Sequence, residues 1–265
     1  MKHPFLDVPH PTVIGHRGSA VDCPENTLSS FERALAVGAH ILESDVHATR
    51  DGVAVLSHDA SLERMTGAAQ QVDELDLAAV QALDAGYGFA GGECNFPFRN
   101  QGVSVPSVRD AFEAFPAARF NLEIKSAQPG LVASVVALVA EFERADRTLL
   151  AAGEDAVMAE IRRVTATTGV RPAIGASLAD VVAFVESAVS GADPGSDSMA
   201  LQIPTEFAGQ PLITERLVEH AHEHAVAVHA WTINDEAEMR RLLDLGVDGI
   251  VTDDPGAMFT RFHAS

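Results

Sequence analysis

Short runs of apolar and β-branched residues alternate along the chain with longer stretches whose apolar residues recur at helical spacing. The runs typical of strands are 12–15, 41–45, 119–125, 147–152, 171–176, 199–204, 225–231 and 248–253. Asp51 and Gly52 form a hairpin signal after the second run, so the short arm at 53–57 is set apart from these eight. Eight strands separated by helices or long loops predict an α/β fold, the (β/α)8 TIM barrel, with its active site at the carboxyl ends of the strands.

The alternation is interrupted once, by an irregular stretch from about 67 to 105. It contains "YGFAGGECNFPFRNQG", which is rich in glycine and aromatic residues, and a short helical pattern near 76–84. We interpret it as a loop region within one domain that spans 1–265. A doubly wound open sheet is the alternative fold, but no glycine-rich dinucleotide fingerprint follows the first strand.

Composition and charge narrow the possible partners. Of the 265 residues, 47% are hydrophobic, which is enough for a sizeable core, and the formal net charge is -20. A surface this acidic repels nucleic acid and anionic lipid. We therefore expect neither nucleic-acid binding nor stable membrane association.

The cysteine count and the apolar runs bear on the compartment. Two cysteines, Cys23 and Cys94, make no disulfide framework, and we expect free thiols in a reducing compartment. No apolar run has the length of a signal peptide or a membrane span, which predicts a cytoplasmic protein.

Acidic side chains stand where two of the predicted strands end. Glu43 and Asp45 lie two residues apart in "ILESD", so they point to the same face of their strand. Glu123 and Lys125 share a face of "RFNLEIK" in the same way. Three carboxylates at one mouth repel each other unless a cation lies between them, and oxygen ligands favour Mg²⁺ or Ca²⁺. The alternative is that each carboxylate pairs with a separate arginine or lysine.

Basic groups and histidines follow the neighbouring strands. "GHRG" places His16 and Arg17 after the first strand, and "SHD" places His58 at the end of the hairpin arm. A metal ion with an arginine and a lysine suits a phosphate group, and two histidines allow one general acid and one general base. The pattern predicts cleavage of a phosphate ester.

These motifs resemble the signature of the glycerophosphodiester phosphodiesterase family. The HRG, PENT, ExDVxxTxDG and HD elements of "GHRGSAVDCPENTLSSFERALAVGAHILESDVHATRDGVAVLSHD" occur in the order and spacing of that family. "VPSVRDAFEAFPAARFNLEIK" resembles its central segment, and "VHAWTINDEAEMRRLLDLGVDGIVTDDP" its C-terminal one. The resemblance covers most of the chain and is weakest at 68–100 and 146–200.

The resemblance implies a (β/α)8 barrel with a small insertion after the second strand, which matches the irregular stretch at about 67–105, and it implies a role for each candidate residue. It implies one divalent cation held by Glu43, Asp45 and Glu123, and acid–base catalysis by His16 and His58. It further implies that Arg17 and Lys125 contact the phosphate and that Trp231 walls the pocket. The single tryptophan ends a predicted strand, which also favours a place at the mouth.

The expected reaction releases sn-glycerol 3-phosphate and an alcohol from a small glycerophosphodiester. Water could attack phosphorus directly, or the neighbouring glycerol hydroxyl could attack first and form a cyclic phosphate, which uses both histidines twice and which we favour. The alternative function keeps the fold and changes the substrate: a lysophospholipase D-like phosphodiesterase acting on lysolipids. A barrel that binds ligand without catalysis is disfavoured by the intact set of acids and histidines.

Overall fold

A computed structural model describes residues 3–91 and 95–263 of the chain. Its strands are β1 (Thr12–Gly15), β2 (Ile41–Ala48), β3 (Ala54–Leu56), β4 (Arg119–Ile124), β5 (Thr148–Ala151), β6 (Ala173–Ile174), β7 (Ala200–Pro204), β8 (Glu206–Phe207), β9 (Gln210–Pro211), β10 (Ala227–Trp231) and β11 (Gly249–Thr252). Its α-helices are α1 (Leu28–Ala36), α2 (Glu63–Thr66), α3 (Leu77–Gln81), α4 (Val108–Ala114), α5 (Leu131–Glu141), α6 (Asp155–Thr168), α7 (Leu178–Ser190), α8 (Glu215–Glu223), α9 (Glu236–Asp244) and α10 (Pro255–Phe262).

Eight of these strands form a parallel barrel. Around the sheet they follow the order β6, β5, β4, β2, β1, β11, β10 and β7, and neighbouring pairs are parallel. A parallel bridge between Gly175 and Ala200 joins the two ends of this path, so the barrel is nearly closed. Helices follow the strands, and the predicted (β/α)8 fold is confirmed.

Local sequence sets the helix ends. The side chains of Ser107 and Ser177 each accept a hydrogen bond from the backbone N–H of the residue three positions later. That residue is an aspartate in both helices, and its carboxylate accepts a hydrogen bond from the backbone N–H of the serine. In α5, the buried positions recur at helical spacing, so one face of the helix packs against the sheet. Within the described ranges, none of the helices combines the length and the apolar character needed to cross a bilayer.

The interior of the barrel is apolar at one end and polar at the other. Phe5 and Leu6, from a short N-terminal 3-10 helix, pack with Ile14 and Ile41 in an apolar cluster. Along β2, the residues two and four positions after Ile41 are Glu43 and Asp45, so the inward face changes from apolar to acidic toward the carboxyl end of the strand. The apolar layer closes the floor of the barrel beneath the acidic residues.

Strand β2 is longer than the predicted 41–45. It continues to Ala48 because β3 pairs antiparallel with its last residues, from Val46 onward. The segment between β3 and α4 then forms its own apolar cluster, which includes Leu62, Met65 and Val80. The helical pattern near 76–84 corresponds to α3. Cys23 is a free thiol, and Cys94 lies outside the described residues.

Candidate active site

Three carboxylates converge at the carboxyl ends of β2 and β4. The two strands are in register, with Glu43 opposite Asn121 and Asp45 opposite Glu123. Glu43, Asp45 and Glu123 each offer one carboxylate oxygen, and these oxygens lie within 4.8 Å of one another. Glu43 and Asp45 are buried, whereas Glu123 is partly exposed. The convergence predicted from the alternation of the two strands is therefore present.

Two basic side chains offset part of this negative charge. Lys125 Nζ donates to Glu123 Oε2 at 2.7 Å and lies 3.1 Å from Asp45 Oδ1. Arg17 Nε lies 3.4 Å from Asp45 Oδ2. Burial opposes the charged form of Lys125, but the two carboxylates beside it raise its pKa above the ordinary value. Two positive charges thus stand against three carboxylates: Asp45 and Glu123 share Lys125, and Asp45 also lies beside Arg17.

Glu43 carries the uncompensated charge of the group. Burial, with the nearby charges of Asp45 and Glu123, raises the pKa of Glu43 well above its usual value. The backbone N–H of Arg17 donates to Glu43 Oε2 at 3.1 Å and opposes this only in part. Three converging oxygen donors with an excess of negative charge fit a hard divalent cation.

The raised pKa of Glu43 makes a pH-dependent prediction about stability without divalent ions. A carboxyl group can have a higher pKa in the folded chain than in the unfolded chain. Such a group lowers the free energy of unfolding as the pH rises from its pKa in the unfolded chain toward its pKa in the folded chain. Glu43→Gln should therefore stabilise the metal-free protein at pH 8 more than at pH 5.5. A gain of ~1 kcal/mol in the free energy of unfolding corresponds to a rise of about 2 °C in Tm.

Thermal unfolding of both proteins in chelator checks this prediction. Glu141→Gln is the matched control, because hydrogen bonds from Arg109 lower the pKa of Glu141 and its replacement should bring no such gain. A Glu43→Gln difference in Tm that stays constant between the two pH values would contradict the assignment of the uncompensated charge.

His16 follows β1 and is oriented by a carboxylate from the other end of the chain. Its Nδ1 lies 2.7 Å from Asp253 Oδ1, and Asn234 Nδ2 donates to Asp253 Oδ2 at 2.6 Å. Burial favours the neutral acid, but these two hydrogen bonds lower the pKa of Asp253 below its usual value. Because an ionised carboxylate only accepts, we assign the proton to His16 Nδ1, which leaves Nε2 free for chemistry.

His58, after β3, repeats this arrangement. Its Nδ1 lies 2.7 Å from Asp59 Oδ1, and Arg64 Nε donates to Asp59 Oδ2 at 2.6 Å. Although burial acts against it, the hydrogen bonds from His58 and Arg64 lower the pKa of Asp59. The same assignment leaves Nε2 of His58 as the ring nitrogen that can exchange a proton with a ligand.

One cavity of about 250 Å³ brings all the sequence-predicted residues together. Its lining includes His16, Arg17, Glu43, Asp45, His58, Glu123, Lys125 and Trp231. Trp231 is 45% exposed at the end of β10, which places it at the mouth rather than in the core. A cavity of this volume suits a small phosphodiester.

Several residues of the site were not predicted as such. Asp59 and Asp253 hold the two histidines, and Asn234 and Arg64 hold those carboxylates in turn. The resemblance could have pointed to Asp59, which follows His58 in the HD element. Asn26 in the PENT element donates to Asp45 Oδ2 at 3.1 Å, and the next residue, Thr27, caps α1.

A parallel barrel with acids, basic groups and two oriented histidines at the carboxyl ends of its strands suits the hydrolysis of a phosphodiester. The model of the glycerophosphoryl diester phosphodiesterase family matches residues 16–257. The chain belongs to this family, which confirms the resemblance seen in its motifs.

Individual relatives agree with this assignment. A glycerophosphodiester phosphodiesterase of Caldanaerobacter subterraneus is 30% identical over 248 residues, covering 92% of this chain and 94% of that protein. The mouse protein named lysophospholipase D GDPD1 is 26% identical, over 91% of this chain and 83% of its own. Among solved structures, a glycerophosphoryl diester phosphodiesterase domain from Mycobacterium tuberculosis superposes with a TM-score of 0.85 at 22% identity, covering 96% of this chain and all of that domain. This last similarity concerns the fold.

Proposed function

We propose that this protein hydrolyses glycerophosphodiesters to sn-glycerol 3-phosphate and an alcohol, with one divalent cation, Mg²⁺ or Ca²⁺. The observation that carries the proposal is the joint presence, in one cavity, of an acidic cluster, two basic side chains and two histidines with carboxylate partners. The family named above and its glycerophosphodiesterase relative support the choice of substrate.

Glu43, Asp45 and Glu123 are the residues that would hold the cation. A bound divalent ion supplies positive charge that stabilises the developing charge on the phosphate oxygens. Arg17 and Lys125 stand beside the same carboxylates, so a phosphate in this cavity meets two side-chain cations. They bind and orient the phosphate rather than move protons.

His16 and His58 serve as the acid–base pair, without an assignment of which acts first. In the first step, one histidine takes the proton of the glycerol hydroxyl next to the phosphate, and that oxygen attacks phosphorus. The bond from phosphorus to the alcohol oxygen breaks, and the other histidine protonates the leaving alcohol. Water then opens the cyclic phosphate with the two roles exchanged. Because each ring is held at Nδ1, each Nε2 can both accept and return a proton.

This route makes the neighbouring hydroxyl of glycerol essential. A substrate in which hydrogen replaces that hydroxyl should be hydrolysed at least about 10³-fold more slowly, because an intramolecular nucleophile can be worth several kcal/mol. The rates of the two substrates are compared by release of the alcohol. Hydrolysis of the deoxy substrate at the normal rate would show that water attacks phosphorus directly.

Lys125 should contribute through its charge in the transition state. Lys125→Ala should lower kcat/KM by an amount equivalent to roughly 2–5 kcal/mol, as for other truncated buried charges. Arg33→Ala is the control, because Arg33 forms an exposed ion pair with Asp22. Steady-state kinetics of both variants test the assignment, and wild-type kcat/KM in Lys125→Ala would remove Lys125 from the site.

A second candidate function is lysophospholipase D-like cleavage of lysolipids. Exposed apolar side chains favour it, since Val21 in the loop after β1, Phe207 in β8 and Trp231 at the end of β10 are each more than two-fifths exposed. Relatives named lysophospholipase D support it as well. The acidic composition and the small cavity favour the smaller substrate.

Turnover of glycerophosphocholine and of lysophosphatidylcholine, measured side by side with Mg²⁺, Ca²⁺ and Mn²⁺, distinguishes the two functions. The proposal expects faster cleavage of glycerophosphocholine, with sn-glycerol 3-phosphate as the product. Preferential cleavage of the lysolipid would support the second function, and cleavage of neither would reduce the protein to a ligand-binding barrel.

A further inference from the structure

Arg64 lies at the rim of the candidate active site with all three of its side-chain nitrogens engaged. Its Nε donates to Asp59, while Nη1 and Nη2 donate to the two oxygens of Glu25, each at 2.7 Å. Glu25 lies 39 residues earlier, in the loop between β1 and α1. One guanidinium therefore joins the loop after β1 to the loop after β3.

Both carboxylates that Arg64 holds have a second partner in the cavity. Asp59 Oδ1 lies 2.7 Å from His58 Nδ1, and Glu25 Oε1 accepts from Arg17 Nη1 at 2.9 Å. A continuous series of hydrogen-bonded side chains thus runs from His58 through Asp59, Arg64 and Glu25 to Arg17. The two ends of this series are His58, to which we assign proton transfer, and Arg17, to which we assign phosphate binding.

The base of Arg64 is fixed by packing. It lies on α2, between Leu62, which is fully buried, and Met65, which is nearly so. The backbone N–H of Gly88 donates to the carbonyl oxygen of Met65 at 3.1 Å, which ties α2 to the following segment. Glu25 is itself mostly buried, and hydrogen bonds from Arg64 and Arg17 lower its pKa despite the opposing effect of burial. The Arg64 side chain is therefore held both at its backbone in α2 and at its guanidinium group.

We propose that Arg64 is a positioning residue for the reaction, which holds Asp59 so that the His58 ring keeps Nδ1 protonated and Nε2 toward the cavity. The inference rests on the proposed function of His58. Arg64 does for His58 what Asn234 does for His16, since each donates to the second oxygen of the carboxylate that bonds the ring. Without Arg64, no other side chain in the described part of the protein donates to the second oxygen of Asp59, and the His58 ring is free to turn.

Arg64→Met tests this role, and Arg50→Met is its matched control. Arg50 also forms a two-nitrogen ion pair at the surface, with Asp76, and joins the hairpin turn to the same segment. Its hydrogen bonds to described residues do not lead to a histidine of the site. We expect Arg64→Met to lower kcat by about 10- to 100-fold with KM changed less than about threefold, and Arg50→Met to keep wild-type kinetics. Their Tm values should be similar.

Two further readouts separate positioning from general damage. In protein labelled with ¹⁵N-histidine, the ring nitrogen signals of His58 should move from a single Nδ1-protonated tautomer toward averaged values in Arg64→Met, while those of His16 stay unchanged. Arg64→Lys, which keeps the charge but not the fork, should give an intermediate kcat. The double variant Arg64→Met with Asp59→Asn should be no slower than Asp59→Asn alone, because both act through the same ring.

The proposal is overturned if Arg64→Met keeps the wild-type kcat, if kcat falls while the His58 signals stay fixed, or if the losses of the double variant multiply. It is also overturned if His16 and His58 signals change together, because Arg64 would then support the fold in general. The histidine spectra do not depend on turnover. If the wild-type protein cleaves no glycerophosphodiester, the proposed function fails while the spectra still decide whether Arg64 orients His58.

Discussion

Exhaustive removal of divalent ions should abolish phosphodiester hydrolysis, and Mg²⁺ or Ca²⁺ should restore it. We expect kcat/KM to fall by at least about 10³-fold, because the charge stabilisation that a cation supplies is worth several kcal/mol and each 1.36 kcal/mol is a factor of about ten. The physical reason is the imbalance at the mouth, where Arg17 and Lys125 face three carboxylates. The measurement is turnover after chelation and dialysis, followed by titration of each ion.

A ligand variant makes this test specific to the acidic cluster. Glu123→Gln should raise the ion concentration needed for half-maximal activity, whereas Glu154→Gln, at the exposed N-terminal end of α6, should not. Full turnover in chelated protein would remove the cation from the mechanism. An unchanged requirement for the ion in Glu123→Gln would place the ion elsewhere.

Replacement of either active-site histidine should have the next largest effect. His16→Ala and His58→Ala should each lose about 10²-fold or more in kcat, since each removes one partner in general acid–base catalysis. The wild-type pH profile should be bell-shaped, because one histidine must be neutral and the other protonated, and each variant should lose one limb. Kinetics across pH, with His222→Ala as control, provide the measurement, since His222 pairs with Asp248 outside the cavity.

Retention of the wild-type kcat by one of the histidine variants would assign that histidine a structural role. Both variants should still bind the divalent ion, because neither histidine belongs to the acidic cluster. Loss of ion binding in His16→Ala or His58→Ala would mean that the residue acts through the cation site rather than by proton transfer.

The alternation of residues along single strands predicted the fold and the candidate site well. The eight strand positions match the barrel, and the two-residue spacings of Glu43 with Asp45 and of Glu123 with Lys125 placed four side chains in one cavity. Such spacings are local, and strand geometry converts them directly into a shared face. The extension of β2 beyond Asp45 was missed because it depends on pairing with β3 rather than on the apolar pattern.

Contacts between distant parts of the chain could not be predicted in this way. Asp253 lies 237 residues after His16, and only barrel closure, which places β11 beside β1, brings the two together. Likewise, Arg64 reaches Glu25 because the β1 loop and the segment after β3 lie on the same rim. The partner of His16 therefore follows from topology, whereas Asp59 adjoins His58 in the chain, and the histidines themselves follow from their motifs.

Phosphorus NMR of one sample tests the central claim most directly. Chelated protein is mixed with glycerophosphocholine, the phosphorus signal is followed, and Mg²⁺ or Ca²⁺ is then added. We expect a constant phosphodiester signal before the addition and its replacement by sn-glycerol 3-phosphate afterwards. Conversion before any ion is added, a phosphocholine product, or no conversion with either ion would contradict the account.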